Sequence, residues 1–205
     1  CPIMVAPDVE FAADAAHAIA EGGLPVCEVL LHRDENSLNR INKIAKGAPE
    51  VIVGAGSVIS LRDAEEAIDA GAKFFVAPGL VPEVVEFALK NNMPILPGCV
   101  TASDISIALN YGINVLKFFP IYQLGGAQTL AQYHGGPFGN VEWVVTGGLN
   151  GKNFLPFAEI DYVLASGGDW MFAENNAIND KNYEQIVLNM RRTIKDVLNL
   201  RAQKN

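Results

Sequence analysis

Eight short apolar runs recur along the chain, and this repetition constrains the fold more than any other feature of the sequence. The runs are bounded by Gly or Pro and separated by polar, helix-like segments, so that one unit takes roughly 20 to 27 residues, the length of a strand plus a helix. Their apolar character is continuous rather than alternating, which is typical of strands buried on both faces. The predicted strands span residues 2–6, 26–31, 51–56, 74–79, 94–98, 115–120, 142–148 and 162–168.

The polar segments between these runs carry helix signals. Residues 60–71 begin with Ser60 as a candidate N-cap, place their apolar residues on one side and end at Gly71. The same pattern predicts helices over 81–92, over 103–112 starting from Ser103, and over about 181–203.

Eight consecutive strand–helix units have two common outcomes, a closed (β/α)8 barrel or an open doubly wound sheet. Near-equal repeats favour the barrel, even though the chain's 205 residues are fewer than the roughly 250 of a typical barrel. An open dinucleotide-binding sheet would carry G-x-G-x-x-G after its first strand, where residues 6–11 read APDVEF. We therefore predict an α/β TIM barrel, formed as a single domain by residues 1–205, with catalytic residues at the carboxyl ends of the strands.

Charge and hydropathy narrow the possible partners. The formal net charge of -8 argues against a nucleic-acid or anionic membrane surface, but a local cation could still hold a small anionic substrate. No apolar run approaches the roughly 20 residues of a membrane span. The opening CPIMV also lacks the basic and apolar parts of a secretion signal. We expect a small-molecule substrate, with neither nucleic acid nor membrane as a partner.

Cysteine and histidine usage bears on compartment and metal binding. The three cysteines are odd in number and lie in apolar runs, which favours free thiols in a reducing compartment. The three histidines are far apart and form no metal-ligand spacing. The sequence thus predicts a cytoplasmic protein that uses neither a metal nor another cofactor.

Lys117 stands in the middle of the apolar run VLKFFP. Strand alternation places it on one face with Val115 and Phe119, and neither face of a barrel strand offers bulk water at mid-strand. Burial disfavours the charged ammonium, so such a lysine becomes a neutral amine that can attack a carbonyl and form a Schiff base. The alternative is a lysine that snorkels to water or is held by a salt bridge.

The tripeptide KFF occurs a second time, at Lys73, and this repeat serves as an internal comparison. Lys73 follows the helix-ending segment DAGA, which predicts a position at the amino-terminal mouth of its strand, open to water. Lys117 instead lies just before Phe119 and Pro120, toward the carboxyl mouth. Of the two lysines, Lys117 alone is predicted in a catalytic position.

Glu28 is a second ionisable residue whose burial would be unfavourable, because its carboxylate stands between apolar neighbours in VCEVLL. Burial raises a carboxyl pKa, which suits a general acid or base near neutral pH. The alternative is a buried partner for an arginine or for Lys117 itself. If Glu28 and Lys117 both point into one barrel, a shared functional cavity explains them better than chance.

Glycine pairs close the seventh and eighth predicted strands, in TGGLNG and SGGDW. In barrels, the loops at these places often bind a phosphate through backbone N–H groups. A Gly-Gly pair alone is a weak signal, because any tight turn can require it. Asp169 follows the second pair. Its carboxylate would repel a phosphate there, and its alternative role is the N-cap of a following helical turn.

Seven motifs follow one another along the chain, namely VCEVLLHR, VGAGSV, VAPGL, PGCVTASD, VLKFFP, VVTGGLN and ASGGDW. In this order and spacing the chain resembles the class I aldolases for 2-keto-3-deoxy-6-phosphogluconate (KDPG) and 4-hydroxy-2-oxoglutarate (KHG). The resemblance runs from about residue 2 to about residue 195. It implies a (β/α)8 barrel, usually a homotrimer, that cleaves a 2-oxo acid to pyruvate and an aldehyde without a metal.

The resemblance also implies a role for each matching residue. Lys117 would be the Schiff-base lysine and Glu28 the proton shuttle. Ser57 would help to hold the pyruvyl carboxylate, and Thr101 would line the same mouth. The loops that hold the far end of the substrate, a phosphate in the phosphogluconate enzymes, would be formed by Thr146, Gly147, Gly148, Gly167 and Gly168.

The chain departs from the family pattern at several positions. The usual arginine of the strand-two loop is His32 here, with Arg33 next to it, so either side chain could bind the carboxylate. Asp169 stands where the family usually has Ser. FFPIYQLGG, with Tyr122 and Gln123, replaces the commoner FFPAE. The short N-terminal helix that usually covers the bottom of the barrel is also missing from the pattern.

We predict a class I, pyruvate-dependent aldolase, a carbon–carbon lyase whose aldehyde product is glyceraldehyde 3-phosphate or glyoxylate. If Asp169 points into the pocket, a hydroxylated chain without phosphate is the expected substrate instead. Two other classes stay open. A non-catalytic 2-oxo-acid or sugar-acid binding barrel would fit the altered position His32, and a phosphate-binding barrel isomerase would leave Lys117 without a role.

Overall fold

The computed structural model describes residues 1–202, and within them eight strands alternate with helices. The strands are β1 (Ile3–Met4), β2 (Val26–Leu30), β3 (Ile52–Gly56), β4 (Phe75–Val76), β5 (Ile95–Leu96), β6 (Val115–Phe118), β7 (Glu142–Thr146) and β8 (Val163–Gly167). Strands β1 to β5 pair in sequence order as one sheet, and β6 to β8 pair as a second. The pairings are parallel throughout, as the continuous apolar runs predict.

Two parallel bridges join the sheets into a closed barrel. On one side, Pro2 bridges to Gly168 after β8, and the Ile3 N–H donates to the Gly168 carbonyl at 2.8 Å. On the other side, Gly98 bridges to Lys117, whose N–H donates to the Pro97 carbonyl at 2.9 Å. With both seams joined, the eight strands form the predicted (β/α)8 barrel.

The predicted strands are all present, but β1, β4 and β5 contain only two residues each. Proline explains this shortening, because it has no N–H to donate to a neighbouring strand. Pro2 precedes β1, Pro78 lies just after β4, and Pro94 and Pro97 flank β5. The remaining runs differ from the prediction by one or two residues at their ends.

The helices fill the segments between the strands, with an additional short 3-10 turn at Glu174–Asn176. They are α1 (Phe11–Glu21), α2 (Ser37–Gly47), α3 (Leu61–Ala70), α4 (Pro82–Lys90), α5 (Ala102–Asn110), α6 (Gly126–Gly135), α7 (Leu155–Ala158), α8 (Trp170–Ala173) and α9 (Tyr183–Ala202). The predicted end of the last helix, residue 203, lies outside the described residues. Within residues 1–202, none of the helices is long and apolar enough to cross a lipid bilayer.

Helix ends test two details of the prediction. Ser60 caps α3 as predicted, since its hydroxyl accepts the Asp63 N–H. The predicted start of α5 at Ser103 is wrong. Thr101 is the N-cap, and it forms a capping box in which its hydroxyl accepts the Asp104 N–H and Asp104 accepts the Thr101 N–H.

Alternation along β6 divides its side chains between two environments. Leu116 and Phe118 are buried in the layer between strands and helices, where the Phe118 ring meets Trp143 edge to face at 5.6 Å. Lys117 lies on the opposite face and points into the barrel toward Glu28 of β2. The same two-residue period that builds the core therefore places both charged side chains inside the barrel.

Candidate active site

Lys117 extends from β6 into the barrel, and its side chain is 6% exposed. Burial lowers the pKa of Lys117 below the ordinary value for lysine, and the nearby Glu28 carboxylate opposes this shift. The Phe119 ring lies 5.2 Å from Nζ. Lys73 is instead exposed and precedes β4, so the predicted difference in exposure and strand position between the two lysines is confirmed.

Glu28 faces Lys117 across the barrel interior. Its Oε1 lies 3.8 Å from Lys117 Nζ, and the Glu28 side chain is 2% exposed. Burial raises the pKa of Glu28, and the charge of Lys117 opposes the rise. Among residues 1–202, this Oε1 has no hydrogen-bond partner. An amine and a carboxyl group placed in this way can pass a proton to and from a group held between them.

The space for the Glu28 carboxylate depends on Gly56 at the end of β3. A Cβ atom at position 56 would collide with Glu28 Oε1 and would lie 2.6 Å from Glu28 Cγ. Glycine thus leaves room for the carboxylate beside the lysine. The GAG motif alone does not reveal this role, because only the folded barrel shows which side chain approaches Gly56.

A cavity of about 220 Å³ opens at the carboxyl ends of the strands, and Lys117 forms part of its wall. Of the described residues that line it, Lys117 and Arg33 are the basic residues and Asp169 is the acidic residue. Its position is that of active sites in barrel enzymes. The wall is formed by Ile3, Leu30, Arg33, Ser57, Pro78, Lys117, Phe119, Thr146, Gly147, Gly148, Leu149, Gly167, Gly168 and Asp169.

The two glycine pairs lie in this wall, as the loop positions predict. Gly147 and Gly148 have φ values of 94° and 75°, in the left-handed region that favours glycine. Asp169 occupies the N-cap position of α8, but its side chain makes no capping hydrogen bond within the part of the chain that is described. Asp169 therefore does not act as the predicted helix cap, and it forms part of the cavity wall.

The two candidate carboxylate-binding residues of the β2–α2 loop face different surroundings. Arg33 lines the cavity that contains Lys117. His32 lies in a separate surface depression, where its Nε2 is 3.2 Å from Asp63 Oδ2. Of these two side chains, Arg33 is the one placed to meet a small molecule beside Lys117.

The three predicted hydroxyl side chains have different positions. Ser57, whose φ is 61°, and Thr146 line the cavity. The Thr146 Oγ1 is buried and has no hydrogen-bond partner among the described residues. Thr101 is exposed, its hydroxyl caps α5, and it lies outside the cavity wall.

Sequence reasoning missed the apolar part of the wall, including Phe119 and Pro78. Both residues stand at the carboxyl ends of predicted strands, and this location is the signal that could have identified them. Thr146 also lines a second cavity of about 250 Å³, and Glu28 forms part of the wall of that second cavity. Across residues 1–202, no three His, Cys, Asp or Glu side chains lie close enough together to hold a metal ion.

Comparisons with known proteins agree with this geometry. The family model of KDPG and KHG aldolases matches residues 1–188. The KHG/KDPG aldolase of Escherichia coli K12 is 36% identical over 185 residues, which are 90% of this chain and 85% of that protein. The 2-dehydro-3-deoxy-phosphogluconate aldolase of Treponema pallidum is 37% identical over 170 residues, 83% of this chain and 80% of that protein.

A solved structure adds chemical detail from a relative. It is a crystal structure of KDPG aldolase from Legionella pneumophila with pyruvate captured at low pH as a covalent carbinolamine intermediate. The two folds agree with a TM-score of 0.87 at 31% identity, over 94% of this chain and 92% of that one. The chain therefore belongs to the KDPG and KHG aldolase family and is an aldolase, a carbon–carbon lyase.

Proposed function

We propose that Lys117 is the amine that forms the Schiff base and that Glu28 is the proton shuttle beside it. The observation that carries this proposal is the buried pair itself, with Nζ and Oε1 3.8 Å apart beneath a cavity at the carboxyl ends of the strands. Burial favours the neutral amine, which is the nucleophilic form of lysine. A protein that only bound 2-oxo acids would have no use for such an amine.

The reaction begins when the neutral Lys117 amine attacks the C2 carbonyl of a 2-oxo acid and forms a carbinolamine. Glu28 protonates the departing hydroxyl, water leaves, and a protonated imine remains. The imine accepts the electron pair of the C3–C4 bond as that bond breaks, while Glu28, directly or through a water, takes the C4 hydroxyl proton. An aldehyde departs, the enamine takes up a proton at C3, and hydrolysis releases pyruvate and Lys117.

The cavity wall supplies groups for the two ends of the substrate. Arg33 and Ser57 bind the carboxylate in this proposal, since an arginine fork suits a carboxylate and a hydroxyl can add a hydrogen bond. The loops after β7 and β8, with their glycine pairs and Thr146, hold the far end. His32 and Thr101, which lie outside the wall, take no direct part.

The proposed substrate is a 2-oxo acid of the type for which the relatives are named, KDPG or 4-hydroxy-2-oxoglutarate. The products are then pyruvate and either glyceraldehyde 3-phosphate or glyoxylate. The Asp169 carboxylate in the wall favours testing a second candidate, a 2-keto-3-deoxy sugar acid without phosphate, because a carboxylate accepts hydrogen bonds from hydroxyls and repels an anion.

Pyruvate release tests this function directly. Each of the three candidate substrates is mixed with the purified protein, and pyruvate is followed through a coupled lactate dehydrogenase reaction. We expect turnover of at least one substrate and none above background with the Lys117→Met variant. Equal rates for the two proteins would contradict the assignment of Lys117.

We further propose that the chain acts as a single domain, assembles as a homotrimer and works in the cytoplasm. Large apolar side chains such as Tyr122 and Leu124, exposed by 60% and 41%, offer surface for contacts between subunits. The free cysteines fit a reducing compartment. Light scattering in solution should give about three times the 22.0 kDa chain mass. A monomer mass would contradict the trimer.

A further inference from the structure

The loop between β2 and α2 carries one cavity residue, Arg33, between two residues that are anchored elsewhere. An arginine side chain is long and flexible, so the region that its guanidinium can reach depends on how firmly its backbone is held. A framework that holds the backbone at position 33 therefore limits where the Arg33 guanidinium can lie. The contacts on either side of Arg33 form such a framework.

On one side, His32 ties the loop to the start of α3. Its Nε2–H donates to Asp63 Oδ2 at 3.2 Å, and Asp63 is only 9% exposed. The same Oδ2 accepts the Ile59 N–H at 2.9 Å, so Asp63 is itself fixed to the loop after β3. This loop also contains Ser57, which lines the cavity.

On the other side, Asp34 ties the loop to α2. Arg40 Nη1 donates to both Asp34 carboxylate oxygens, at 2.7 and 2.9 Å, and the Arg40 side chain is 8% exposed. Asp34 Oδ1 also accepts the Asn36 N–H at 2.8 Å, and the Asp34 carbonyl accepts the Ser37 hydroxyl at 3.0 Å. The hydrogen bond from Arg40 lowers the pKa of Asp34 below its usual range, so this contact persists as a charged pair near neutral pH.

We propose that the Asp34–Arg40 and His32–Asp63 pairs are a two-point clamp that aims Arg33 at the carboxylate of the substrate. This inference rests on the proposed function and names positioning residues for it. The four clamp residues lie outside the cavity wall, so they act as positioning residues and not as binding groups. Asp34 and Arg40 act through Arg33, whereas Asp63 also fixes the loop that carries Ser57. Both routes concern the binding of the anion and leave the Lys117–Glu28 chemistry intact.

The test measures the pyruvate concentration that half-saturates the borohydride-trapped adduct in wild type and Asp34→Asn. Asp34 is suitable because its side chain is 40% exposed, and asparagine keeps its shape. We expect the half-saturating concentration to rise on the order of tenfold, because a misplaced binding group loses affinity steeply. The yield at saturation should change by less than twofold. Glu10→Gln, which breaks the surface pair with Lys43, is the matched control and should leave both quantities unchanged.

A double-variant cycle separates aiming from general stabilisation of the loop. In an Arg33→Met background, Asp34→Asn should cause no further loss, since the side chain that the clamp aims is gone. An equal loss in both backgrounds, or no loss in the single variant, would overturn the proposal. If even the wild-type protein forms no adduct, the Schiff-base assignment fails. Calorimetric titration with pyruvate then tests the clamp alone, by comparing the effect of Asp34→Asn on affinity in the wild-type and Arg33→Met backgrounds.

Discussion

Two KFF segments of this chain occupy opposite ends of their strands, and only one of them contributes to the site. Lys73 precedes β4, which begins at Phe75, and is exposed. Lys117 lies inside β6, which begins at Val115, and its side chain is 6% exposed. Local propensity cannot explain the difference, because the tripeptides are identical. The position of the lysine along the barrel axis, set by where each strand begins, decides whether it is an ordinary surface cation or a buried amine.

The strongest test of this comparison replaces each lysine by methionine. We expect Lys117→Met to lower kcat by at least about 10³-fold, because the nucleophile is lost. Lys73→Met should stay within about twofold of wild type, as an exposed substitution away from the site. Steady-state kinetics on the best substrate measure both variants. A comparable loss in the Lys73 variant would break the comparison.

Glu28 faces Lys117 inside the barrel. Glu28→Gln keeps the shape of the side chain and removes its proton transfer, so we expect kcat to fall about 10²- to 10⁴-fold. Thermal unfolding of the same variant provides the control, because a loss of fold would appear as a lower Tm. An unchanged kcat in a folded Glu28→Gln protein would remove Glu28 from the mechanism.

The Glu28→Gln substitution should also shift the pH dependence of Lys117 labelling. The Glu28 carboxylate opposes the burial that lowers the Lys117 pKa, so its removal should lower the Lys117 pKa further. Labelling of Lys117 by a neutral acylating reagent requires the free amine, and its rate falls as the pH drops through that pKa. We expect the fall to occur at lower pH in Glu28→Gln than in wild type. A shift to higher pH would show that the Glu28 carboxylate does not stabilise the charged form of Lys117.

Gly56→Ala should disturb the Lys117–Glu28 pair by displacing the Glu28 side chain. The added methyl group would collide with Oε1, Cγ and Cδ of the Glu28 side chain, which can turn aside without a shift of the backbone, so the fold should survive. We expect kcat to fall about 10- to 100-fold through misplacement of the carboxyl group. Gly135→Ala is the matched control, since a Cβ there meets nothing within 4 Å. Equal activity of the two variants would contradict the role given to Gly56.

Asp169→Ser should have the smallest effect, because Asp169 takes no part in the proposed proton transfers. If the carboxylate repels a phosphate, we expect the variant to gain about fivefold in kcat/KM on the phosphorylated substrate. For the substrate without phosphate, kcat/KM should fall by a similar factor, because its hydroxyl groups lose the Asp169 carboxylate as a hydrogen-bond acceptor. The ratio of the two kcat/KM values measures this directly. No gain on the phosphorylated substrate would remove Asp169 as the discriminating residue.

The sequence predicted the barrel and the burial of Lys117 and Glu28 because both follow from strand periodicity. It could not choose between His32 and Arg33, since that choice depends on Asp63 and Arg40, which are distant in sequence and close in space. It missed the role of Gly56 for the same reason. The resemblance predicts Thr101 at the mouth of the site, whereas the structure uses its hydroxyl as the cap of α5.

Borohydride reduction in the presence of pyruvate, followed by mass spectrometric mapping, tests the central claim most directly. The chain offers its own internal control, because Lys73 and Lys117 precede the same two aromatic residues. The account predicts a stable pyruvyl adduct on Lys117 and none on Lys73. A folded protein that carries the adduct on Lys73, on both lysines equally, or on neither would contradict it.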